Sequence, residues 1–463
     1  MTIDTTELLA PQVEHVRKLV DSLYFNGFAL DMSETGTGKS YAAAAVAREM
    51  NRPLVLISPK TVIPQWEKVL KTFGLRAKVI INYEKLGRGN TKWMKWKKLP
   101  DPSKPWKETA TDLLPDFRFP RDSLVILDEG HRCKGNHTSN SQMMIMLAEQ
   151  GYKILVASAT MATTPMEMKA VGYLSGLHAL YNFTDFCRTH GAEMVGQWGA
   201  MTWDMSGVEA KKSMMRLNEY FFETRECASR MTVDDFGELF PESHIIPNAF
   251  DMGVNGAKIA DVYDQMDAEI AKLSDATKNY SEHIFAVLMK ARREVELLKV
   301  PLIVEKIEEL YTEGKSVVVF VNFSQTIFAI SSRLVKNKML ASQIAFVVGG
   351  QTDNVREQDI EDFQADKKRI ILCNIAAGGV GINLHDLNGK FPRASIISPT
   401  WSACNLRQCM GRVWRQGGLT KSVQFIVYAA NCIEENICRR VEFKLNNLNT
   451  LNDGDLAEVV GLI

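Results

Sequence analysis

The sequence predicts an α/β fold: two tandem parallel-sheet lobes with a cleft between them and helical decoration. Three observations carry that prediction. Short apolar runs recur with helix-favouring stretches between them, a glycine-rich loop sits at one strand-to-helix handover, and an Asp-Glu pair closes a second buried run. At 463 residues and 46% hydrophobic content, the chain has room for about three domains with sizeable cores.

In the first lobe the runs are Phe28 to Leu30, Leu54 to Ile57, Val79 to Ile81, Leu124 to Leu127 and Ile154 to Ala157. Each is short and continuous, as a strand covered on both faces must be. A second set follows at Val317 to Val321, Ile344 to Val348, Ile370 to Cys373, Ser395 to Ile397 and Val423 to Val427. Between the sets, Met161 to Lys299 lacks such runs and is rich in Met, Phe, Tyr and helix formers. Its first part is expected to decorate lobe one with helices, and Pro241 to Asn255 to form the linker. Lys258 to Leu310 is expected to be helical, with Arg292, Arg293, Glu294 and Glu296 on solvated faces. Lobe one is therefore placed at 1–245, with an excursion at 87–120 and a helical insertion at 165–240, and lobe two at 246–463.

Lysine plus arginine equals aspartate plus glutamate at 55 each, so any nucleic-acid surface must be a local patch. The eight cysteines show no CxxC pair and no zinc-finger spacing, which favours free core thiols and a reducing compartment. Asp4 and Glu7 stand where a signal peptide needs positive charge, and no apolar run reaches membrane-spanning length. A cytoplasmic protein, or a nuclear one if the source is eukaryotic, with no membrane partner is expected.

Ser33 to Ser40 reads S-E-T-G-T-G-K-S between a strand and an alanine-rich helix. Gly36 and Gly38 let the backbone around Thr37 curl about phosphates, Lys39 reaches their outer oxygens, and the Ser40 hydroxyl can ligate Mg²⁺. The strict pattern has Gly where this chain has Ser33. After the run Leu124 to Leu127 come Asp128-Glu129-Gly130-His131. Asp128 can hold Mg²⁺ directly or through water, and Glu129 is placed to orient and deprotonate an attacking water. The pairing points to nucleotide hydrolysis with ATP and Mg²⁺.

The second lobe has no phosphate loop, but Gln408 to Gln416 places Arg412 and Arg415 three apart, on one face if helical. They could complete a site on the other lobe and stabilise a transferring phosphoryl group. The alternative is a surface salt-bridging helix. In the excursion, Trp93, Trp96 and Trp106 interleave with Lys92, Lys95, Lys97, Lys98, Lys104 and Lys107, and Asp101 is the sole carboxylate from Lys85 to Lys107. Lysines neutralise phosphates and tryptophans can stack on bases. The alternative is a solvated hairpin whose tryptophans pack on the lobe.

Taken in order, these segments resemble the superfamily-two helicase-type ATPases, and more closely the Swi/Snf-type double-stranded DNA translocases, over nearly the whole chain. Pro11-Gln12 resembles the adenine-reading Q motif, Gly36 to Ser40 motif I, Ser58-Pro59-Lys60 with Pro64-Gln65-Trp66 motif Ia, and Asn82 to Leu86 motif Ib. Asp128 to His131 is similar to motif II, with Gly130 a mild departure from the usual Ala. Ser158-Ala159-Thr160 is similar to motif III, Val319 to Phe323 to motif IV, Gly378 to Asn383 to motif V, and Gln408 to Arg415 to motif VI. The resemblance implies RecA-like lobes around an ATP cleft. It implies nucleotide contacts from Gln12, Gly381 and Gln408, nucleic-acid contacts from Lys60, Gly378 and Gly379, and coupling through Ser158, Ala159 and Thr160. Phe186-Cys187 through Gly207 and Arg292 through Pro301 look like the annealing-helicase or fork-remodelling branch, which implies DNA, duplex, forked or branched, as partner. The compact build resembles phage or bacterial members.

Overall fold

The computed structural model describes residues 4–89, 91–98, 113–136, 138–195, 200–204, 208–272, 280–375, 381–400, 402–430 and 433–453. The described residues divide into two compact units, 4–236 with 443–453, and 237–442. Residues 443–453, from the end of the chain, group with the first unit.

The first unit is built on a six-stranded sheet of β1 (Phe28–Asp31), β2 (Leu54–Ile57), β3 (Val79–Ile81), β6 (Leu124–Asp128), β7 (Lys153–Ala157) and β10 (Ala228–Ser229). The spatial order is β10-β1-β7-β6-β2-β3, and every pairing is parallel. All of β1, β2 and β6 is buried, which is why these strands read as unbroken apolar runs. Helices α1 (Ala10–Phe25), α2 (Lys39–Met50) and α3 (Ile63–Thr72) cover it, α2 burying the run Ala42 to Ala47. The excursion contains an antiparallel hairpin, β4 (Met94–Lys98) with β5 (Leu113–Phe117). The insertion expected to be helical also carries an antiparallel pair, β8 (Ala192–Val195) with β9 (Ala200–Trp203). Trp203 anchors that pair by donating from Nε1 to His190 O at 2.7 Å.

The second unit holds β11 (Ser243–Phe250), β12 (Ser316–Val321), β13 (Ile344–Val347), β14 (Ile370–Asn374), β15 (Arg393–Ile397) and β16 (Ser422–Ala429). Their order is β11-β16-β15-β12-β14-β13, again all parallel. The stretch expected to be a linker is mostly β11, paired along all eight residues with β16. It escapes the apolar-run test because an edge strand is covered on one side only, and Pro247, which has no N–H to give, is tolerated there.

The expected solvated faces of the helix Tyr280–Leu298 also need correction. Glu296 is buried and accepts from Asn322 N, Asn322 Nδ2, Phe323 N and Thr326 Oγ1, so it pins the end of β12. Lys299 is fully buried against both carboxylate oxygens of Glu434, at 2.7 and 2.9 Å. A helix facing a core cannot leave charges there without partners, so these inward charges form local networks. The closing helix, Ile433–Asp453, ends in the first unit, where Leu451 joins the core and its carbonyl accepts from Asn218 Nδ2 at 2.7 Å. The seven described cysteines are buried thiols, and among the described residues no helix is long and apolar enough to cross a membrane.

Candidate active site

In a parallel sheet every strand ends on the same edge, so loops after neighbouring strands gather there. After β1 comes the glycine-rich loop 33–38, after β7 Ser158-Ala159-Thr160, after β6 Glu129, and after β2 Ser58-Pro59-Lys60; β1, β7, β6 and β2 are consecutive neighbours.

Gly36 and Gly38 have φ of +91° and +90°, a backbone region that favours glycine, and α2 begins at Lys39 with Ser40 in its first turn. Lys39 Nζ donates to the carbonyls of Ser33 at 3.0 Å and Glu34 at 2.8 Å. Gln12 is buried, with Nε2 donating to Thr37 O at 3.0 Å. A Cβ at position 38 would stand 2.3 Å from that Nε2, so Gly38 also makes room for Gln12. Ser33, the departure from glycine, has a structural reason. Its hydroxyl accepts from Met231 N at 3.0 Å and lies 3.4 Å from His15 Nε2, tying the loop to the segment after β10 and to α1. His15 in turn lies 3.3 Å from Asp31 Oδ1. Burial works to raise the Asp31 carboxyl, yet His15 and Lys39 hold it below its ordinary range.

Asp128 closes β6 and is held from several directions. Oδ2 accepts from Trp66 Nε1 at 2.7 Å and from Ser58 Oγ at 2.8 Å, Oδ1 from Glu129 N at 3.0 Å, and the carbonyl from Tyr83 OH at 2.8 Å. Burial, then the Glu129 carboxylate, push Asp128 up to about 6, against the pull of Trp66, Ser58 and Lys39. Glu129 adopts left-handed backbone angles, φ 53° and ψ 50°, uncommon for this residue type and held by its surroundings. His131 Nδ1 lies 3.3 Å from Glu129 Oε2 and 3.1 Å from Ser158 Oγ, linking the two loops. The Ala159 carbonyl accepts from Asn452 Nδ2 at 3.2 Å and Thr160 N donates to Ser158 Oγ at 3.2 Å. Gly130 is not a mild departure here: a Cβ would stand 2.3 Å from Val156 Cγ1.

The donor set suits Mg²⁺, which binds through few protein oxygens, water and phosphates: one hydroxyl at a helix start and one carboxylate. Among the described residues no cluster of three His, Cys, Asp or Glu competes for a metal.

In the second unit Gly381 has φ +77°, and Gln408 is buried on the helix Ala403–Val413. That helix ends before Arg415, so the two arginines do not share a helical face. Trp414 turns to extended angles with its indole donating to Pro241 O at 2.6 Å, and a glycine pair follows at 417 and 418. Arg412 is buried, with Nη1 donating to Ile382 O at 3.3 Å; half-buried Arg415 donates from Nε to Gly411 O at 3.0 Å and from Nη1 to Asn383 Oδ1. Burial, then the charges of Arg415 and Arg393, lower His385 to about 4. Gly378 and Gly379 lie outside the described residues, as do Trp106, Lys104 and Lys107.

Trp93 and Trp96 are half-buried against the first core. Trp96 Nε1 donates to Gly87 O at 2.8 Å; the Trp93 ring lies 6.1 Å from that of Phe119 and carries Lys92 Nζ 4.6 Å above it. Lys95 and Lys97 are exposed, and Lys97 pairs at 2.8 Å with Asp116 of the facing strand, a carboxylate far away in sequence. Lys98 lies in β4, and Lys60 is exposed at the turn after β2. Sequence reasoning missed Trp66, Tyr83 and His131 as site residues. The available signal was an indole or phenol at a fully buried position, where its polar atom needs a partner.

Residues 17–168 match the DEAD/DEAH box helicase family and residues 300–417 the helicase conserved C-terminal domain. The chain is 33% identical, over 98% of its length and 85% of the relative's, to "Putative ATP-dependent RNA helicase L364" of Acanthamoeba polyphaga mimivirus. It is 23% identical over 69% of its length to the DNA repair and recombination protein RAD54-like of Gallus gallus, spanning 47% of that protein. It is 30% identical over 32% of its length to the DNA excision repair protein ERCC-6-like of Mus musculus, spanning 11%. Among solved structures, the Sulfolobus solfataricus SWI2/SNF2 ATPase core in complex with dsDNA aligns over 98% of this chain and 94% of that one, at 17% identity and a TM-score of 0.36.

Proposed function

The chain belongs to the superfamily-two helicase-type ATPases and is a nucleic-acid-dependent ATPase, and from that premise we propose that it tracks along duplex DNA and remodels branched or bubble-containing structures, rewinding them as one outcome. The observation that carries the reading is the gathering of four motif loops on one edge of the first sheet. The Swi/Snf-type pattern at Ser58 to Trp66 favours duplex DNA, and the DNA repair relatives favour DNA as the polymer.

In this reading the backbone of Gly36, Thr37 and Gly38 cradles the phosphates of ATP, Lys39 binds their outer oxygens, and Gln12, Gly381 and Gln408 complete the nucleotide contacts. Ser40 and Asp128 would hold Mg²⁺, which when bound would neutralise phosphate charge. Glu129 orients the attacking water and takes its proton, and Arg412 and Arg415 offset charge on the γ-phosphoryl group. Ser158, Ala159 and Thr160 relay nucleotide state, because His131 joins Ser158 to Glu129. Lys60, Gly378, Gly379 and the hairpin lysines Lys95, Lys97 and Lys98 grip nucleic-acid phosphates. Base stacking by Trp93 or Trp96 would have to displace the contacts each ring makes with the lobe.

A second reading, a strand-separating RNA helicase, is favoured by the name of the mimivirus relative. ATPase rates without polymer and with single-stranded DNA, duplex, forked DNA and RNA separate the two. Duplex and forked DNA should stimulate most; stimulation by RNA alone would replace the first reading with the second.

A further inference from the structure

Asp128 is the meeting point of three neighbouring strand ends. Tyr83 follows β3, Ser58 follows β2, and Asp128 itself ends β6, while Trp66 reaches across from α3. Trp66 is 1% exposed and ranks among the largest fully buried side chains of the protein. A buried indole N–H without an acceptor costs about 1–3 kcal/mol, so this position needs an acceptor where Asp128 stands. Conversely, the indole and the Ser58 hydroxyl together take up both acceptor directions of Oδ2. Among the described residues, Oδ1 receives only the short-range N–H of Glu129 and keeps acceptor capacity. The carboxylate is thus held with one oxygen turned to the protein and the other available.

We propose that Trp66 is a positioning residue of the ATPase centre, its indole N–H acting with the Ser58 hydroxyl to fix Asp128 in the rotamer that presents Oδ1 to Mg²⁺ or its water. The inference rests on the reading of Asp128 as the metal-side carboxylate. Hydrogen-bond partners of a metal-binding group orient it and raise affinity, and their loss typically weakens binding about 10- to 100-fold. Trp66 lies six residues after Lys60 in the same turn-and-helix segment, so a nucleic-acid contact and the carboxylate share one rigid support.

The test is an equilibrium Mn²⁺ titration by electron paramagnetic resonance on the full chain with a non-hydrolysable ATP analogue, beside metal-free binding of a fluorescent ADP. Trp66→Phe keeps an aromatic ring and removes the donor. It should weaken Mn²⁺ about tenfold while leaving metal-free ADP binding within about twofold. Ser58→Ala should act in the same direction, and the double variant should fall short of the product of the two because both donors serve one oxygen. Unchanged Mn²⁺ affinity with a lowered melting temperature would make Trp66 a packing residue and overturn the proposal. If Trp66→Phe does not fold, Ser58→Ala decides alone, and unchanged Mn²⁺ affinity there overturns it equally. Asp128→Asn separates the layers: if it leaves Mn²⁺ affinity intact, the reading of Asp128 fails, whereas if it weakens Mn²⁺ and Trp66→Phe does not, only the present inference fails.

Discussion

Asp128 in the first unit and Arg412 and Arg415 in the second are charges drawn into the protein, yet they are secured from different sources. Asp128 is held by side chains from three places in the chain, Ser58, Trp66 and Tyr83. Arg412 and Arg415 donate to carbonyls of Ile382 and Gly411, with Asn383 as a side-chain acceptor. A carboxylate fixed by distant side chains is preorganised at the cost of sensitivity to each partner. Guanidinium groups resting partly on backbone carbonyls are to that extent secured by the fold itself. Within the second unit the pair also divides, since Arg412 is buried and Arg415 is not.

The strongest way to break that comparison is to truncate each arginine. Arg415→Ala should lower nucleic-acid-stimulated kcat by about 10³-fold or more, the scale of an arginine finger in related phosphoryl transfer, with little change in melting temperature. Arg412→Ala should lose activity and also about 1–3 kcal/mol of stability, because it strips a buried carbonyl of its donor. Steady-state ATPase and thermal melts measure both. A stable, fully active Arg415→Ala would return that residue to an ordinary surface contact.

Acid should act on the two units with opposite signs. Asp128, raised to about 6, binds protons in the folded state that the unfolded chain releases above about 4; its contribution is present at low pH and lost as pH rises through about 6. His385, lowered to about 4, contributes stability that is present above its unfolded value near 6.5 and lost as pH falls towards about 4. The His385 term amounts to roughly 3 kcal/mol at most. Stability against pH from 7 to 4 should therefore fall less steeply in His385→Leu than in the parent. Parallel curves would show that His385 is solvated enough to titrate normally, and the slope, not the absolute stability, is the readout.

Legibility in the sequence followed the range of the forces involved. Central strands such as β6 and β12 were readable because burial on both faces leaves an unbroken apolar run. The edge strand β11 was not, since one-sided burial gives alternation and Pro247 reads as a break. The glycine turn before α2 and the acidic end of β6 were readable because their patterns are local in the chain. The bond from Trp66 to Asp128 joins residues far apart in sequence, and a lone buried tryptophan reads as core. The exit of Arg415 from its helix was hidden for the same reason, because Trp414 turns extended toward Pro241, a distant acceptor.

The smallest effect sharpens how tightly the first unit is fitted around its carboxylates. Gly130 follows Glu129 directly, and a methyl group there would stand 2.3 Å from Val156 Cγ1 on β7, well inside contact distance. Gly130→Ala should cost about 1–3 kcal/mol through overpacking, even though alanine is the better helix former in the short helical turn Gly130–Cys133. Val156→Ala removes the clashing methyl and costs stability by itself through the small cavity it leaves. Together the two should be more stable than the sum of the single changes predicts, by about 1 kcal/mol in a double-mutant cycle read from denaturant unfolding. The ATPase of Gly130→Ala should fall with its stability and recover in the double variant, because a displaced Gly130 also displaces the left-handed Glu129 beside it. Strict additivity would mean that the loop absorbs the methyl by moving, and that Glu129 is less firmly set than the Asp128 network implies.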